Sequence, residues 1–259
     1  MKNSRAAVKS RQHEILEYMR IHGAGDVNKL AMEFRVTPTT IRRDLNVLQK
    51  ENYISRCFGG ARLQEPVDTE EISPTDIRDE KEFIRKEIAR LAADQMCDGE
   101  IIFMNSSATA SLVLGYLGEK NVTVVTNNSR AIDMPRSSRT QLLLTGGAVY
   151  GKKQSLVGEL AHDTISKITA TACILGVSGI SSKEGITSRI LQETTINRMM
   201  LERCTGAKIV VAEGSKIGVS HSFYSGSIED ITCLITDSSA SEEALKEIRD
   251  RGVNVILTD

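Results

Sequence analysis

Apolar positions in the first fifty residues recur at helical spacing. Ile15, Leu16 and Met19 share one face of RQHEILEYMRIH (11–22), and Gly23 and Gly25 end that segment. Asp26 is placed to cap a short helix, VNKLAMEF (27–34), that turns Leu30, Ala31 and Phe34 inward. Arg35 and Val36 make a tight connection. Thr37 then caps a third helix that opens on Pro38, the first helical position being where proline fits best, and runs to Gln49 with Ile41, Leu45 and Leu48 inward. Two extended pieces follow, YISR (53–56) and ARL (61–63), around a turn containing Gly59 and Gly60. Three short helices and a strand pair predict a small winged helix-turn-helix.

The pattern then changes. Residues 64–78 hold Pro66, Pro74 and many acids and read as a linker. A helix is expected at 79–96. Beyond it, short β-branched runs alternate with helical stretches. The runs are at 100–104, 122–125, 141–145, 172–177, 208–212, 231–236 and 253–258; the helical stretches are at 110–117, 158–167, 189–204 and 241–250. Such alternation predicts a mostly parallel sheet covered on both faces. The expected fold is α/β: a winged helix-turn-helix head at 8–63, a linker at 64–78 and a larger α/β effector-binding body at 79–259.

Charge separates the same two parts. Residues 1–62 carry 12 Lys and Arg against 6 Asp and Glu, a net +6, although the whole chain is at -1. A basic head on an acidic body suits a polyanion partner. The five cysteines, Cys57, Cys97, Cys173, Cys204 and Cys233, show no C-x-x-C spacing, so they read as buried apolar residues of a reducing compartment rather than disulfides or a metal site. No apolar run reaches membrane-spanning length and no export signal is seen, so a cytoplasmic protein is expected, without metal or cofactor.

On the third helix Thr39, Thr40, Arg42 and Arg43 lie off the apolar face. A helix of this kind fits the major groove of double-stranded DNA, where arginine reads guanine and a helix N-terminus beside Thr37 can hold a phosphate. Arg56 and Arg62 flank the wing turn and suit the backbone or minor groove. One of Arg42 and Arg43 is expected on DNA, the other paired with an acidic neighbour such as Asp44 or Glu51.

In the body, the segments that follow the strands are polar. They are Asn105-Ser106-Ser107-Ala108-Thr109, Thr126-Asn127-Asn128-Ser129, Gly146-Gly147, Ser178-Gly179, Glu213-Gly214-Ser215-Lys216 and Asp237. Ligands of open parallel sheets sit at the C-terminal strand ends. Asn105, Ser106, Ser107, Thr109, Asn127, Gly146, Gly147 and Lys216 are therefore the candidate contacts for a small anionic effector, with Lys216 its counter-charge.

The stretch VTPTTIRRDLNVLQKENYISRCFGGA (36–61) resembles the signature of the DeoR family of bacterial sugar-responsive regulators. Thr37 stands for the usual Ser, and Phe58 for the usual His of the wing. The likeness continues into the body. The first loop, usually D-S-G-T-T, reads N-S-S-A-T at 105–109; T-N at 126–127, G-G at 146–147, S-K at 215–216 and T-D at 236–237 are kept; V-A-D-x-S-K reads V-A-E-G-S-K, with Glu213 for Asp. The resemblance implies a body similar to ribose-5-phosphate isomerase, a phosphorylated sugar as effector, and repression of a carbohydrate operon that the effector releases.

The rival is a sugar-phosphate isomerase carrying a DNA-binding head, with Glu193, Glu213 and Asp237 as candidate bases. Asn in place of the first-loop acid, and the absence of a close acidic pair, weigh against turnover. One head buries too little surface for tight operator binding, so a homo-oligomer is expected.

Overall fold

The computed structural model describes residues 8, 11–12, 14–16, 18–19, 24–50, 54–57, 60–63, 75–151 and 153–258. The chain divides into two compact units, Met1–Pro74 and Thr75–Asp259.

In the first unit the described residues between 11 and 19 are helical. Strand β1 (Ala24–Asp26) leads into helix α1 (Val27–Glu33) and then α2 (Pro38–Lys50); β2 (Ile54–Cys57) and β3 (Gly60–Leu63) follow. Asp26 caps α1, its carboxylate accepting from the backbone nitrogens of Asn28 and Lys29 at 2.9 and 3.1 Å. Between α1 and α2 the chain turns through Arg35, at φ 50°, a left-handed position costly for a residue with a Cβ. The sequence predicts two strands here, but the sheet has three, in antiparallel order β1-β3-β2. Gly25 therefore belongs to a strand, not to a helix end. Ile15, Met19, Leu30, Ile41, Leu45, Leu48 and Ile54 form the core. Each such side chain contributes roughly 1.5–3 kcal/mol by leaving water, which is what holds so small a unit together.

The second unit opens with α3 (Thr75–Asp94). Residues 75–78, assigned to the linker by composition, are helical, and 64–74 lie outside the described residues. Strands β4 (Ile101–Met104), β5 (Val122–Thr126) and β6 (Thr140–Leu144) come next, with helix α4 (Ala108–Leu112) after β4. A hairpin, β7 (Ala148–Tyr150) and β8 (Ser155–Val157), precedes α5 (Glu159–Ser166) and β9 (Ala170–Gly176). A small antiparallel sheet is made by β10 (Gly179–Ser181), β11 (Gly185–Ser188) and, after α6 (Leu191–Glu202) and β12 (Cys204–Val211), β13 (Phe223–Gly226). The chain ends with β14 (Cys233–Thr236), α7 (Glu242–Asp250) and β15 (Asn254–Leu257).

Seven strands form one sheet in the order β15-β14-β12-β9-β4-β5-β6, all pairs parallel. Strands buried on both sides need apolar residues throughout, which is why IIFM, ACILG and CLIT show no alternation. Ile88, Ala92, Ala110 and Leu114 cover one face with Ile102, Ile174 and Ile235; Ala161, Ile165, Ile196, Met200 and Ile248 cover the other with Phe103, Leu175 and Val210. Cys173, Cys204 and Cys233 are buried as expected, but Cys97 is exposed.

Candidate nucleic-acid interface and effector site

Helix α2 is held in place from its inner side. Ile41, Asp44, Leu45 and Leu48 are buried, whereas Thr39, Arg42, Arg43 and Asn46 are exposed at three- and four-residue spacing. Thr37 caps the helix: its Oγ1 accepts from the backbone nitrogen of Thr40 at 3.2 Å, and the Thr37 and Thr40 hydroxyls are 2.9 Å apart. The acidic neighbour expected to hold Arg42 or Arg43 is taken by another residue. Asp44 accepts from Nε and Nη2 of Arg11 at 2.7 and 3.3 Å and from the side-chain amide of Gln12 at 3.2 Å. This buried pair ties α2 to the first helix and leaves its outer face basic; Glu51 lies outside the described residues. Asn46, one turn beyond Arg42 and Arg43, lies on the same exposed face. Arg56 and Arg62 lie on β2 and β3, with Arg56 opposite Ala61 and Arg62 opposite both Ala24 and Ser55, so they belong to the wing strands; their side chains lie outside the described residues.

In the body, strand register decides which loops meet. Met104 is level with Thr126 and Ile174, Gly176 with Val211, and Val211 with Ile235. The segments after β4, β5, β9, β12 and β14 therefore emerge along one edge. Sequence order runs outward from β4 to β6 on one side and from β9 to β15 on the other. The reversal between β4 and β9 creates the crevice where open α/β sheets take ligands.

Asn105 lies at that crevice and is fully engaged. Its Nδ2 donates to the Gly176 carbonyl at 2.8 Å and to Oδ1 of Asn197 at 3.0 Å, and its Oδ1 accepts from the Gly176 nitrogen at 3.0 Å and the Ser107 nitrogen at 3.3 Å. It frames the site and has no bond left over for a ligand. Gly176 is required here, because a Cβ on it would stand 1.8 Å from Oγ of Ser107.

The β7–β8 hairpin, whose short strands carry no alternating pattern, straps the same edge. Ser106 and Ser155 hydroxyls are 2.7 Å apart, Asn127 Nδ2 donates to the Leu156 carbonyl at 3.1 Å, and the Leu156 nitrogen returns a bond to the Asn127 carbonyl at 2.7 Å. Gly147 serves the hairpin: at φ 114° it lets the backbone pass so close that a Cβ would stand 2.5 Å from the Val157 carbonyl oxygen. Gly146 is exposed beside it, at φ 70°.

Three side-chain oxygens at this edge are buried without a hydrogen-bond partner among the described residues, Oγ1 of Thr109, Oδ1 of Asn127 and Oγ1 of Thr236 at the end of β14, on residues 1 %, 1 % and 0 % exposed. An unmet buried polar atom costs about 1–3 kcal/mol, so a ligand that meets it gains that much. Two lysines stand at the edge. Lys216 lies 3.7 Å from Glu213, which also accepts from Arg85 of α3 at 2.8 Å. Lys153, in the hairpin turn, lies 4.0 Å from Glu193, one turn of α6 before Asn197; the sequence offered no motif around it. Asp237 accepts from the nitrogens of Gly214 and Ser239 at 2.6 and 3.0 Å. Burial raises its pKa, but the bonds from the Ser239 side chain and from the backbone of Gly214, Ser239 and Asp237 itself outweigh that and hold the carboxyl below the usual carboxylate range. Among the described residues no group of three or more His, Cys, Asp or Glu is arranged for a metal ion, and no helix is long and apolar enough to cross a membrane.

A capped helix with a basic outer face, backed by a three-stranded wing sheet, and an α/β body with a polar crevice define a two-domain DNA-binding regulator of transcription. Residues 11–67 match the DeoR-like helix-turn-helix domain and residues 81–238 match the DeoR C terminal sensor domain, so the chain belongs to the DeoR family. It is similar to the uncharacterized HTH-type transcriptional regulator YulB of Bacillus subtilis, at 30% identity over 96% of both chains. It is also similar to the glycerol-3-phosphate regulon repressor of Escherichia coli, at 28% identity over 95% of this chain and 98% of that one. The structure of ribose 5-phosphate isomerase A from Methanocaldococcus jannaschii overlaps 52% of this chain and 54% of its own, at 14% identity and TM-score 0.39.

Proposed function

We propose that this regulator represses a carbohydrate-utilisation operon and is controlled by a small phosphorylated sugar or polyol bound at the crevice between β4 and β9. The observation that carries the effector reading is the unmet oxygens of Thr109 and Asn127, in the segments that follow β4 and β5. The Thr109 hydroxyl can donate to a phosphate oxygen, while Asn127 Oδ1 can only accept and so suits a sugar hydroxyl. Lys216 and Lys153 supply positive charge, and Ser106 and Ser107 add hydroxyls. Similarity to a glycerol-3-phosphate regulon repressor supports the same class of ligand. In the head, Thr39, Arg42 and Arg43 face the major groove, Thr37 and Thr40 secure the helix start against a phosphate, and Arg56 and Arg62 serve the wing. Two or more heads on repeated half-sites supply operator affinity, which makes the working form a homo-oligomer.

Sensing fits the acids better than turnover does. Glu213 is paired with Arg85 and Lys216, Glu193 stands beside Lys153, and Asp237 holds two backbone nitrogens. Each candidate base is already engaged in structure.

The test is a thermal-shift screen of the full chain against phosphorylated and unphosphorylated sugars and polyols, because a ligand of the native state raises apparent stability. A shift confined to phosphorylated compounds supports the reading. Shifts from neutral compounds alone, or from none, overturn the effector and leave the DNA-binding function standing.

A further inference from the structure

Glu213 joins two cations that belong to different parts of the body. Its Oε1 accepts from Nε of Arg85 at 2.8 Å and lies 3.7 Å from Nζ of Lys216. The three side chains are 10%, 15% and 23% exposed, so solvent screens the cluster poorly. Lys216 is in the segment after β12, at the crevice edge. Arg85 is on α3, the element through which the chain enters the body from the head. One carboxylate thus connects the edge that receives the effector to the helix that leads to DNA.

We propose that Glu213 is the positioning residue that couples occupancy of the crevice to α3; this rests on the anion site proposed above. Of its two contacts the one to Lys216 is the longer, an ion-pair distance too long for a hydrogen bond. An anion in the crevice draws the ammonium toward itself. The carboxylate charge then falls to Arg85, and the bond that fastens α3 to the end of β12 tightens. By linkage, a firmly held α3 favours anion binding to the same degree.

This mechanism makes a prediction that a simple field effect does not. Glu213→Gln removes the carboxylate's pull on Lys216 and raises anion affinity, whereas Arg85→Gln leaves more of the Glu213 charge on Lys216 and lowers it, each by about threefold, the size of one partly exposed ion pair. Without the carboxylate the link from Arg85 through Glu213 to Lys216 is gone, so the double variant binds like Glu213→Gln. Independent charges acting through the field would instead give additive changes.

The experiment titrates inorganic phosphate into the full-length protein, the two single variants and the double variant by calorimetry. Amide exchange over 105–109 and 80–94 is followed alongside, and unfolding curves check that each variant folds. Expected are slower exchange in both segments of the parent protein on phosphate binding, loss of the response at 80–94 in Glu213→Gln despite tighter binding, and a non-additive double variant. Protection at 105–109 without a response at 80–94, or an additive cycle, overturns the coupling. No protection at 105–109 in the parent rejects the anion site and the coupling with it.

Discussion

The side-chain nitrogen of Asn105 lies 3.0 Å from Oδ1 of Asn197, a neutral bond between residues 92 positions apart that closes the crevice floor between β4 and α6. The same nitrogen serves the Gly176 carbonyl. Asn105→Asp replaces this donor by a buried charge facing two acceptors. It keeps the bonds from the Gly176 and Ser107 nitrogens and is expected to cost about 1–3 kcal/mol, as for buried polar groups that lose their donor. Adding Asn197→Lys supplies a counter-charge and is expected to recover about half of that loss. Urea unfolding of the three proteins measures both, and equal stability of Asn105→Asp and the parent would refute the assignment.

Thr109 Oγ1 is buried without a partner among the described residues. Thr109→Val keeps the shape and removes the unmet oxygen, so the ligand-free protein is expected to gain up to about 1 kcal/mol. If the hydroxyl binds the effector, the same variant loses about tenfold in affinity, the worth of one hydrogen bond to a charged group. Stability and ligand affinity moving in opposite directions distinguishes a site from a packing defect; a variant that is less stable without ligand contradicts the reading.

Arg42 and Arg43 point away from the head's core, so alanine at either is expected to weaken operator binding by about 1–3 kcal/mol and leave the body's unfolding unchanged. Asp44 differs, being buried against Arg11. Asp44→Ala leaves that arginine without its carboxylate and is expected to destabilise the head by about 3 kcal/mol. Salt-controlled DNA titrations separate the two classes, and unchanged binding by both arginine variants would remove α2 from the groove.

The carboxyl of Asp237 is held below the ordinary carboxylate range in the folded protein. A depressed folded value means that its stabilisation is present above the unfolded value of about 3.9 and is lost as pH falls through the folded one. Asp237→Asn can accept in one direction only, so at pH 7 it is expected to cost about 1–2 kcal/mol. Chemical unfolding at pH 7 and pH 3 should show that gap shrinking on acidification. A gap independent of pH would mean that the charge plays no part.

The groove that α5 and α6 form around Val157, His162, Gln192 and Ile196, about 610 Å³, adjoins the crevice through α6, which also carries Glu193 and Asn197. Nothing in the chain's periodicity announces it, because it exists only between two helices brought together by the sheet.

The sequence by itself determined what depends on near neighbours. Helical spacing placed Ile41, Leu45 and Leu48 inside and Thr39, Arg42 and Arg43 outside. Asp26 and Thr37 marked the helix starts by capping, and unbroken apolar runs located the seven parallel strands. Those features follow from local geometry, so they can be read along the chain. Tertiary structure alone decided which side chains meet. The first-loop Asn105 is a brace because Gly176 and Asn197 arrive from 71 and 92 positions away. Asp44 took Arg11 instead of a neighbouring arginine, 33 positions off. Glu213 took Arg85 from 128 positions away. The short hairpin strands at 148–157 gave no alternating signal, because β7 is exposed throughout and β8 buried throughout. Long-range pairing is set by strand order and register, and no window of sequence contains either.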